Sequence, residues 1–178
     1  MWMVGRIGSV LGLGLVLLLV VGLGCATGAS PTTLPTARVV KVVDGDTLDV
    51  ALNGRVERVR LIGVNAPESV DPRRPVQCFG REAAARAREL LEGKLVQLEA
   101  DPSQGDRDQF GRLLRYVWLP SPEGPPRLVN QVLIAEGYAH EYTYNLPYRY
   151  QEAFRQAQRE ARAQQRGLWS PATCNGRP

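Results

Sequence analysis

The sequence predicts an α+β protein, a five-stranded Greek-key barrel carrying three helices. Short β-branched runs separated by turn residues follow residue 37, one helical segment interrupts them, and two helical segments close the chain. The chain has 178 residues, of which 44% are hydrophobic and 22% charged. This balance is typical of a globular protein and excludes a chain that is disordered throughout.

The first three strands are predicted to form a meander. Residues 38–43 are a short β-branched run, which Asp44-Gly45-Asp46 interrupts. Residues 47–52 alternate between apolar and polar side chains, and Asn53-Gly54 follows as a strong hairpin signal. The third strand is then expected over residues 56–64.

The rest of the domain alternates between helices, strands and loops. Three prolines between residues 65 and 76 predict a loop, after which residues 79–91 are rich in Ala, Arg, Glu and Leu and predict a helix. The remaining predicted elements are strands at 95–100 and 112–119 and helices at 128–136 and 149–166, with an irregular aromatic stretch at 138–148 and Trp169 against the core. Five short strands with a helix before the fourth are typical of an oligonucleotide-binding (OB) barrel.

The N-terminal residues are predicted to lie outside this domain. After Arg6 the chain runs without a charge to Gly24, so residues 1–24 are expected to be a signal peptide or a membrane anchor. Cys25 resembles the acylated cysteine of a bacterial lipoprotein, although Gly22 stands where that motif usually has leucine. We expect a flexible tether at 25–37, the folded domain at 38–171 and a C-terminal tail at 172–178. The protein is therefore expected to be exported, either secreted or anchored in the cell envelope.

Charge and cysteine content give weaker indications. The net charge is +4 and all basic residues except Lys41 and Lys94 are arginines, which a solvated basic surface explains as well as a polyanionic partner does. If Cys25 carries a lipid, Cys78 and Cys174 remain and could pair, closing a long loop. Two isolated thiols are the alternative.

The polar residues near the strand ends indicate oxygen chemistry rather than zinc chemistry. His140 is the single histidine, and the cysteines lack the paired spacing of a zinc site. The Asp44 to Asp49 stretch does not fit an EF-hand loop, because Asp49 stands at the position that requires glycine. Asp46, Asn65 and Glu68 remain, and such hard oxygen ligands suit Ca²⁺ or Mg²⁺.

Two arginines stand where burial is expected. Arg60 interrupts an apolar strand, and Arg112 follows Gly111 at the start of another. An inward arginine needs an anion, which could be a structural carboxylate or a bound phosphate. Together with the oxygen ligands and the free carboxylate of Glu68, the two arginines predict a site that cleaves phosphodiesters.

Six motifs, in order along the chain, resemble the staphylococcal nuclease-like (thermonuclease) domain family. They are VVDGDT (42–47), VRLIGVNAPES (59–69), CFGREA (78–83), DRDQFGR (106–112), LVNQVLIAEGYA (128–139) and GLWS (167–170). The resemblance covers about residues 38–170 and implies the five-stranded barrel. It also implies Ca²⁺-dependent cleavage of DNA and RNA that leaves 3′-phosphate and 5′-hydroxyl ends.

The resemblance also implies roles for individual residues. The metal would be held by Asp46, by Asn65 in place of the acid that the family has there, and by the backbone carbonyl of Ala66. Glu68 corresponds to the general base, and Arg60 and Arg112 correspond to the phosphate-binding arginines. Phe110, Tyr142 and Tyr144 correspond to the aromatic residues that line the nucleotide site.

The sequence therefore predicts an exported Ca²⁺-dependent nuclease that acts on DNA and RNA. We expect a monomer, held at a membrane through its N-terminal segment or a lipid if either is retained. One alternative is an OB-fold module that binds nucleic acid with little catalysis, and a weaker one is an envelope lipoprotein whose role is attachment. The presence of Arg60, Glu68 and Arg112 favours the enzyme.

Overall fold

The computed structural model describes residues 33–73 and 75–177. The predicted signal peptide or anchor (1–24) and Cys25 lie outside these residues, as does most of the predicted tether. Within the described residues, no helix combines the length and apolar character that a membrane span needs.

Strands dominate the first two thirds of the described chain, and helices the last third. The strands are β1 (Thr36–Asp44), β2 (Thr47–Leu52), β3 (Arg55–Leu61), β4 (Val64–Asn65), β5 (Leu95–Glu99), β6 (Leu113–Leu119), β7 (Arg127–Leu128) and β8 (His140–Glu141). The helices are α1 (Gly80–Leu91), α2 (Val129–Ala135) and α3 (Gln151–Ala163), followed by a single 3₁₀ turn, Gly167–Trp169.

Five of the strands close into a barrel, which confirms the predicted fold class. Neighbouring strands follow the order β3-β2-β1-β5-β6, and β3 also pairs with β6, in parallel, to close the ring. The turn between β2 and β3 is the predicted Asn53-Gly54 hairpin, with both residues at positive φ and Leu52 opposite Arg55. Closure removes exposed barrel edges, as in OB folds.

The core is continuous from the barrel interior to the helices. Val39, Val50 and Val59 are fully buried on β1, β2 and β3. The alanine-rich face of α1 and the side chains of Leu133 on α2 and Phe154 on α3 belong to the same cluster of buried residues. The small side chains of α1 let this helix lie close to the barrel.

The third strand is shorter than predicted, which corrects the expected strand over residues 56–64. β3 ends at Leu61, a turn follows at Ile62-Gly63, and β4 pairs separately with β8. Gly63 has φ +73°, and a Cβ there would lie 2.6 Å from the Tyr148 ring. The chain turns here because Gly63 permits a left-handed conformation and a close approach that the apolar pattern does not reveal.

A buried asparagine fixes this turn. The Asn130 side chain accepts a hydrogen bond from Val117 N–H at 2.9 Å and donates one to Ile62 O at 2.9 Å. Asn130 is fully buried, so both contacts lie away from competing water. The end of β3 is therefore tied to β6 through α2.

Asp101 anchors the loop that follows β5. Its carboxylate accepts hydrogen bonds from Tyr116 O–H at 2.7 Å, from Arg149 N–H at 2.8 Å and from Ser103. Burial by itself raises the pKa of Asp101, but these hydrogen bonds outweigh it and lower the pKa to about 2.

Asp101→Asn should therefore destabilise the protein in a pH-dependent way. The folded-state pKa lies below the ordinary value of 3.8, so the unfolded state binds more protons and stability is lost as the pH falls from about 4 to 2. We expect the variant to lose about 1–2 kcal/mol of unfolding free energy at pH 6 and almost none near pH 2. Urea unfolding at both pH values measures this, with Glu123→Gln in an exposed turn as the control. An equal loss at both pH values would show that the charge is not responsible.

Candidate active site

The turn between β1 and β2 carries two buried acids. Asp44 ends β1, and Asp46 precedes β2, with Gly45 between them. A Cβ at Gly45 would lie 2.6 Å from the Ala66 Cβ and 3.1 Å from the Ala83 Cβ of α1. The absence of a side chain at Gly45 therefore lets the acidic turn lie directly against Ala66 and α1.

Asp46 joins the turn to the segment that follows β4. Its Oδ2 accepts a hydrogen bond from Ala66 N–H at 2.9 Å, and its Oδ1 accepts one from Thr47 O–H at 2.9 Å. The structure thus brings two of the predicted metal-binding residues, Asp46 and Ala66, into contact, and Asn65 is the residue before Ala66. The negative charge of Asp46 is balanced by Arg60.

Arg60 points inward and is held at three points. Its Nη2 lies 3.1 Å from Asp46 Oδ2, and its Nη1 donates to Leu61 O at 3.0 Å and to Val64 O at 2.6 Å. The side chain is 16% exposed. The guanidinium therefore stabilises the turn at Gly63 while remaining beside the acidic residues. Of the two anions weighed for this arginine, the structural carboxylate is present.

Glu68 lies next to Asp44. The pKa of Asp44 is raised to about 6, mainly by burial. Hydrogen bonds from Ser69 and Gly45 lower this pKa, whereas the negative charges of Asp46 and Glu68 raise it. For Glu68 the effect of burial is outweighed by hydrogen bonds from Val70 N–H, Asp71 N–H and Asp44, so its pKa lies below the usual value. Opposite shifts of this kind are expected when two carboxyl groups share one proton, which here resides mainly on Asp44.

The carboxylates of Asp44, Asp46 and Glu68 offer the negative charge that a hard divalent cation needs. These three side chains alone would not complete the coordination of the cation. Among residues 33–73 and 75–177, no three His, Cys, Asp or Glu side chains are arranged to hold a metal by themselves. Asp46 and Glu68 nevertheless lie near Asp44, whose raised pKa reflects burial and like-charge repulsion. Carbonyl and amide oxygens would have to complete the coordination, and Ca²⁺ accepts such mixed oxygen ligands.

A cavity of about 670 Å³ opens beside these acids. Six of the residues singled out in the sequence line it: Arg60, Asn65, Phe110, Arg112, Tyr142 and Tyr144. Its lining does not include Asp46, Ala66 or Glu68. Arg60 belongs to both groups, because it lines the cavity and pairs with Asp46. The predicted site therefore consists of an acidic cluster and a basic, aromatic cavity that meet at Arg60.

Asp108 holds the second arginine and its loop. Its Oδ1 accepts hydrogen bonds from Phe110 N–H at 2.9 Å and Arg112 N–H at 3.0 Å, and its Oδ2 lies 2.6 Å from Arg112 Nε. Burial by itself raises the pKa of Asp108, but these hydrogen bonds outweigh burial, so the pKa lies below its usual value. The Arg112 guanidinium also lies 5.2 Å from the Phe110 ring centre.

The aromatic residues of the cavity are exposed. Phe110 is 73% exposed, and the rings of Tyr142 and Tyr144 lie 6.2 Å apart. Their loop is held by the Gln104 side chain, which donates to Leu146 O and Pro147 O at 3.1 Å. Exposed rings that need no packing partner in the fold are available to stack on a planar ligand.

Three further polar residues organise this site although the sequence pattern does not reveal them: Asp44, Asp108 and Gln77. Asp108 stands four residues before Arg112 in a Gly-containing loop, a spacing that could have suggested the pair. Gln77 offers no such signal, because its contact with Glu68 depends on how the proline-containing loop folds back. The ring of His140, the single histidine, packs edge-on against the Trp169 ring, with 4.8 Å between the ring centres.

Cys78 and Cys174 form a disulfide in the structure, with Cα atoms 5.9 Å apart. The bond joins the segment just before α1 to the C-terminal tail and spans 96 residues of sequence. Gly176, also in the tail, lies close to the Trp169 ring. The tail is thus fastened to the domain beside the loop that carries Glu68.

Comparison with known proteins agrees with this architecture. The family described as staphylococcal nuclease homologue matches residues 58–171. The chain is 38% identical over 145 residues to a thermonuclease of Staphylococcus hyicus, covering 82% of each chain, and 39% identical over 131 residues to a thermonuclease of Staphylococcus intermedius, covering 74% of each. It is 35% identical over 136 residues to a micrococcal nuclease of Shigella flexneri, covering 74% of this chain and 72% of that protein.

The protein is of the α+β, OB-barrel type, because its five strands close into a barrel that carries three helices. Acidic and basic side chains lie side by side at its candidate site. The chain belongs to the staphylococcal nuclease homologue family. The family resemblance identified from six sequence motifs is thereby confirmed.

Replacing both bridged cysteines, Cys78→Ser with Cys174→Ser, should lower the free energy of unfolding by about 2–4 kcal/mol, because the unfolded chain regains the freedom of a long loop. Urea unfolding with and without reductant measures the loss. Reductant should bring the parent protein to the level of the double variant and leave the variant unchanged. Free thiols at both positions in non-reducing peptide maps of protein made in an oxidising compartment would contradict the pairing.

Proposed function

We propose that this chain is an exported, metal-dependent nuclease that hydrolyses phosphodiester bonds in DNA and RNA. The observation that carries the proposal is the meeting of two arginines and exposed aromatic rings in one cavity beside the Asp44, Asp46 and Glu68 carboxylates. The nuclease names of the relatives supply independent support.

The two arginines suit a phosphate with developing negative charge. Arg60 and Arg112 line the same cavity, and each guanidinium offers the planar fork that matches phosphate oxygens. Each is paired with a carboxylate in the structure, Arg60 with Asp46 and Arg112 with Asp108. A substrate phosphate would share or replace these partners, and the arginines would stabilise the charge that builds up as water attacks phosphorus.

Glu68 suits the role of general base. Its lowered pKa keeps the carboxylate ionised at neutral pH, so it can accept a proton. In the proposed reaction Glu68 takes a proton from the attacking water, the new P–O bond forms, the bond to the 5′-oxygen breaks, and the departing 5′-oxygen takes up a proton from solvent water to become a hydroxyl. Asp44, which is hydrogen-bonded to Glu68, could share that proton.

Asp46, the Asn65 amide oxygen and the Ala66 carbonyl are the proposed holders of Ca²⁺. When bound, the cation would supply positive charge at the phosphate oxygens. The hydrogen bond between Asp46 and Ala66 N–H keeps these donors in one place. A cation would also relieve the repulsion among the neighbouring acids.

The aromatic side chains are proposed to bind nucleobases. Phe110, Tyr142 and Tyr144 are exposed around the cavity, and rings of this kind stack on bases with little sequence preference. This arrangement suits both DNA and RNA. Export, and attachment through residues 1–24 or a lipid on Cys25 if either is retained, are proposed on the basis of the N-terminal sequence. A monomeric state completes the proposal.

Plasmid digestion by the purified chain tests the proposal directly. Supercoiled DNA and a structured RNA should be cut in Ca²⁺ and remain intact in excess chelator. Binding to the same nucleic acids without cleavage under any divalent cation would instead identify an OB-fold binding module. That outcome would overturn the nuclease proposal.

Glu68→Gln should keep the fold and lower kcat by about 10²–10⁴-fold, because the amide cannot accept the proton from water. Plasmid and oligonucleotide cleavage rates, together with the Tm, measure the effect. Glu82→Gln on the exposed face of α1 removes the same charge away from the cavity and should cleave at the parent rate. A Glu68→Gln variant as active as the parent would show that another group is the base.

Asn65→Asp should lower the Ca²⁺ concentration that gives half-maximal cleavage, because the metal ligands would then carry two negative charges instead of one. The same substitution should increase the rise in Tm on adding Ca²⁺, which reports cation binding without catalysis. Asn175→Asp in the C-terminal tail controls for the added charge. Identical Ca²⁺ midpoints in both assays would exclude Asn65 as a ligand.

A further inference from the structure

The residue proposed as the base, Glu68, lies in a segment whose described residues, 66–73 and 75–79, form no helix or strand. This segment joins β4 to α1 and contains Pro67, Pro72 and Pro75. No strand or helix ladder fixes the direction of Glu68, so its orientation depends on individual contacts. The strongest of these contacts come from a residue that the proposed chemistry does not use.

Gln77 binds both polar groups of the Glu68 main chain. The Gln77 side-chain oxygen accepts a hydrogen bond from Glu68 N–H at 2.6 Å, and Gln77 N–H donates to Glu68 O at 2.9 Å. The two residues are nine positions apart, so this pair of hydrogen bonds closes the loop between them. A displacement of Gln77 would release the Glu68 backbone on both sides.

The Glu68 carboxylate follows its own backbone closely. Its Oε1 accepts hydrogen bonds from Val70 N–H at 2.9 Å and Asp71 N–H at 3.1 Å. These donors are main-chain groups of the same loop. The direction of the carboxylate is therefore set by the local chain path together with the hydrogen bond to Asp44, and Gln77 fixes that path at Glu68.

Gln77 is itself held against α1 and the disulfide. Gly80 N–H, at the start of α1, donates to Gln77 O at 3.0 Å. A Cβ at Gly80 would lie only 2.5 Å from Glu68 O, so the helix start and Glu68 are in direct contact. The next residue, Cys78, is bonded to Cys174. The hydrogen-bonded pair of Gln77 and Glu68 is therefore supported by α1 and by the disulfide.

We propose that Gln77 is a positioning residue for catalysis, whose side-chain oxygen holds the Glu68 main chain so that the carboxylate faces the attacking water. The proposal rests on the proposed role of Glu68 as the base. It assigns to Gln77 an effect on the chemical step and not on substrate binding, because Gln77 is not among the residues that line the cavity.

Gln77→Met tests this inference, since methionine has a similar length and no oxygen. We expect kcat to fall by about 10–100-fold with KM unchanged, because small misplacements of a catalytic group have effects of this size. Gln77→Glu keeps an oxygen at the same place and should recover most of the loss. Its extra negative charge should shift the acidic limb of the pH–rate profile to higher pH. Gln131→Met on α2 controls for the loss of a half-buried glutamine amide.

A double-mutant cycle separates positioning from a general loss of structure. If Gln77 acts through Glu68, Gln77→Met should not reduce the residual rate of Glu68→Gln any further. A parent-like kcat for Gln77→Met, or the same fold-loss in both backgrounds, would overturn the inference. If Gln77→Met is unfolded at the assay temperature, Gln77→Asn, which is too short to reach Glu68 N–H, takes its place with the same expected result.

The cycle also distinguishes this inference from the proposed function. A parent-like rate for Glu68→Gln would remove the base assignment, and the positioning role with it. A severe loss in Glu68→Gln together with normal cleavage by Gln77→Met would leave the nuclease proposal intact and refute only the role of Gln77.

Discussion

The parallel pairing of β3 with β6 is the constraint on which the site depends. Val59 lies opposite Leu113 and Arg60 opposite Leu114, so the two strands close the barrel although about fifty residues separate them in sequence. Side chains alternate along each strand, which puts Arg60 and Leu114 on the face where Arg112 enters β6. Without this closure the two arginines would belong to unrelated surfaces. With it they share one cavity.

Two neighbouring guanidinium groups require compensation, and the protein supplies one carboxylate to each. Asp46 pairs with Arg60 and also accepts Ala66 N–H, while Asp108 pairs with Arg112 and also accepts Phe110 N–H. Removing either acid would therefore leave both an unpaired charge and an unsatisfied backbone group. Structural and chemical roles are combined in the same side chains, so neither of the two interpretations of a buried arginine is sufficient alone.

Local signals in the sequence were sufficient where a structure depends on neighbours in the chain. The Asn53-Gly54 hairpin is one example, because its backbone conformation follows from those two residues. The break after Leu61 could not be predicted, since the apolar pattern continues through Gly63 and the reason for the turn is contact with Tyr148 from a distant loop. The contact between Gln77 and Glu68 was missed for a similar reason: it forms only after the proline-rich loop closes.

Helix α1 contacts both parts of the acidic cluster, the turn that carries Asp44 and Asp46 and the loop that carries Glu68. Its Ala83 packs against Gly45 between Asp44 and Asp46, and its first residue, Gly80, abuts the Glu68 carbonyl. Asp44 and Asp46 belong to the rigid barrel, whereas Glu68 belongs to an irregular loop. Hydrogen bonds from Ala66 N–H to Asp46 and from Ser69 O–H to Asp44 tie this loop to the barrel, and α1 packs against both parts. A Cβ on Gly80 would lie 2.5 Å from the Glu68 carbonyl oxygen, and a Cβ on Gly45 would lie 3.1 Å from the Ala83 Cβ. A side chain at either glycine would therefore push α1 away from the acids, so glycine at these two points is a condition for the acids to meet across the helix.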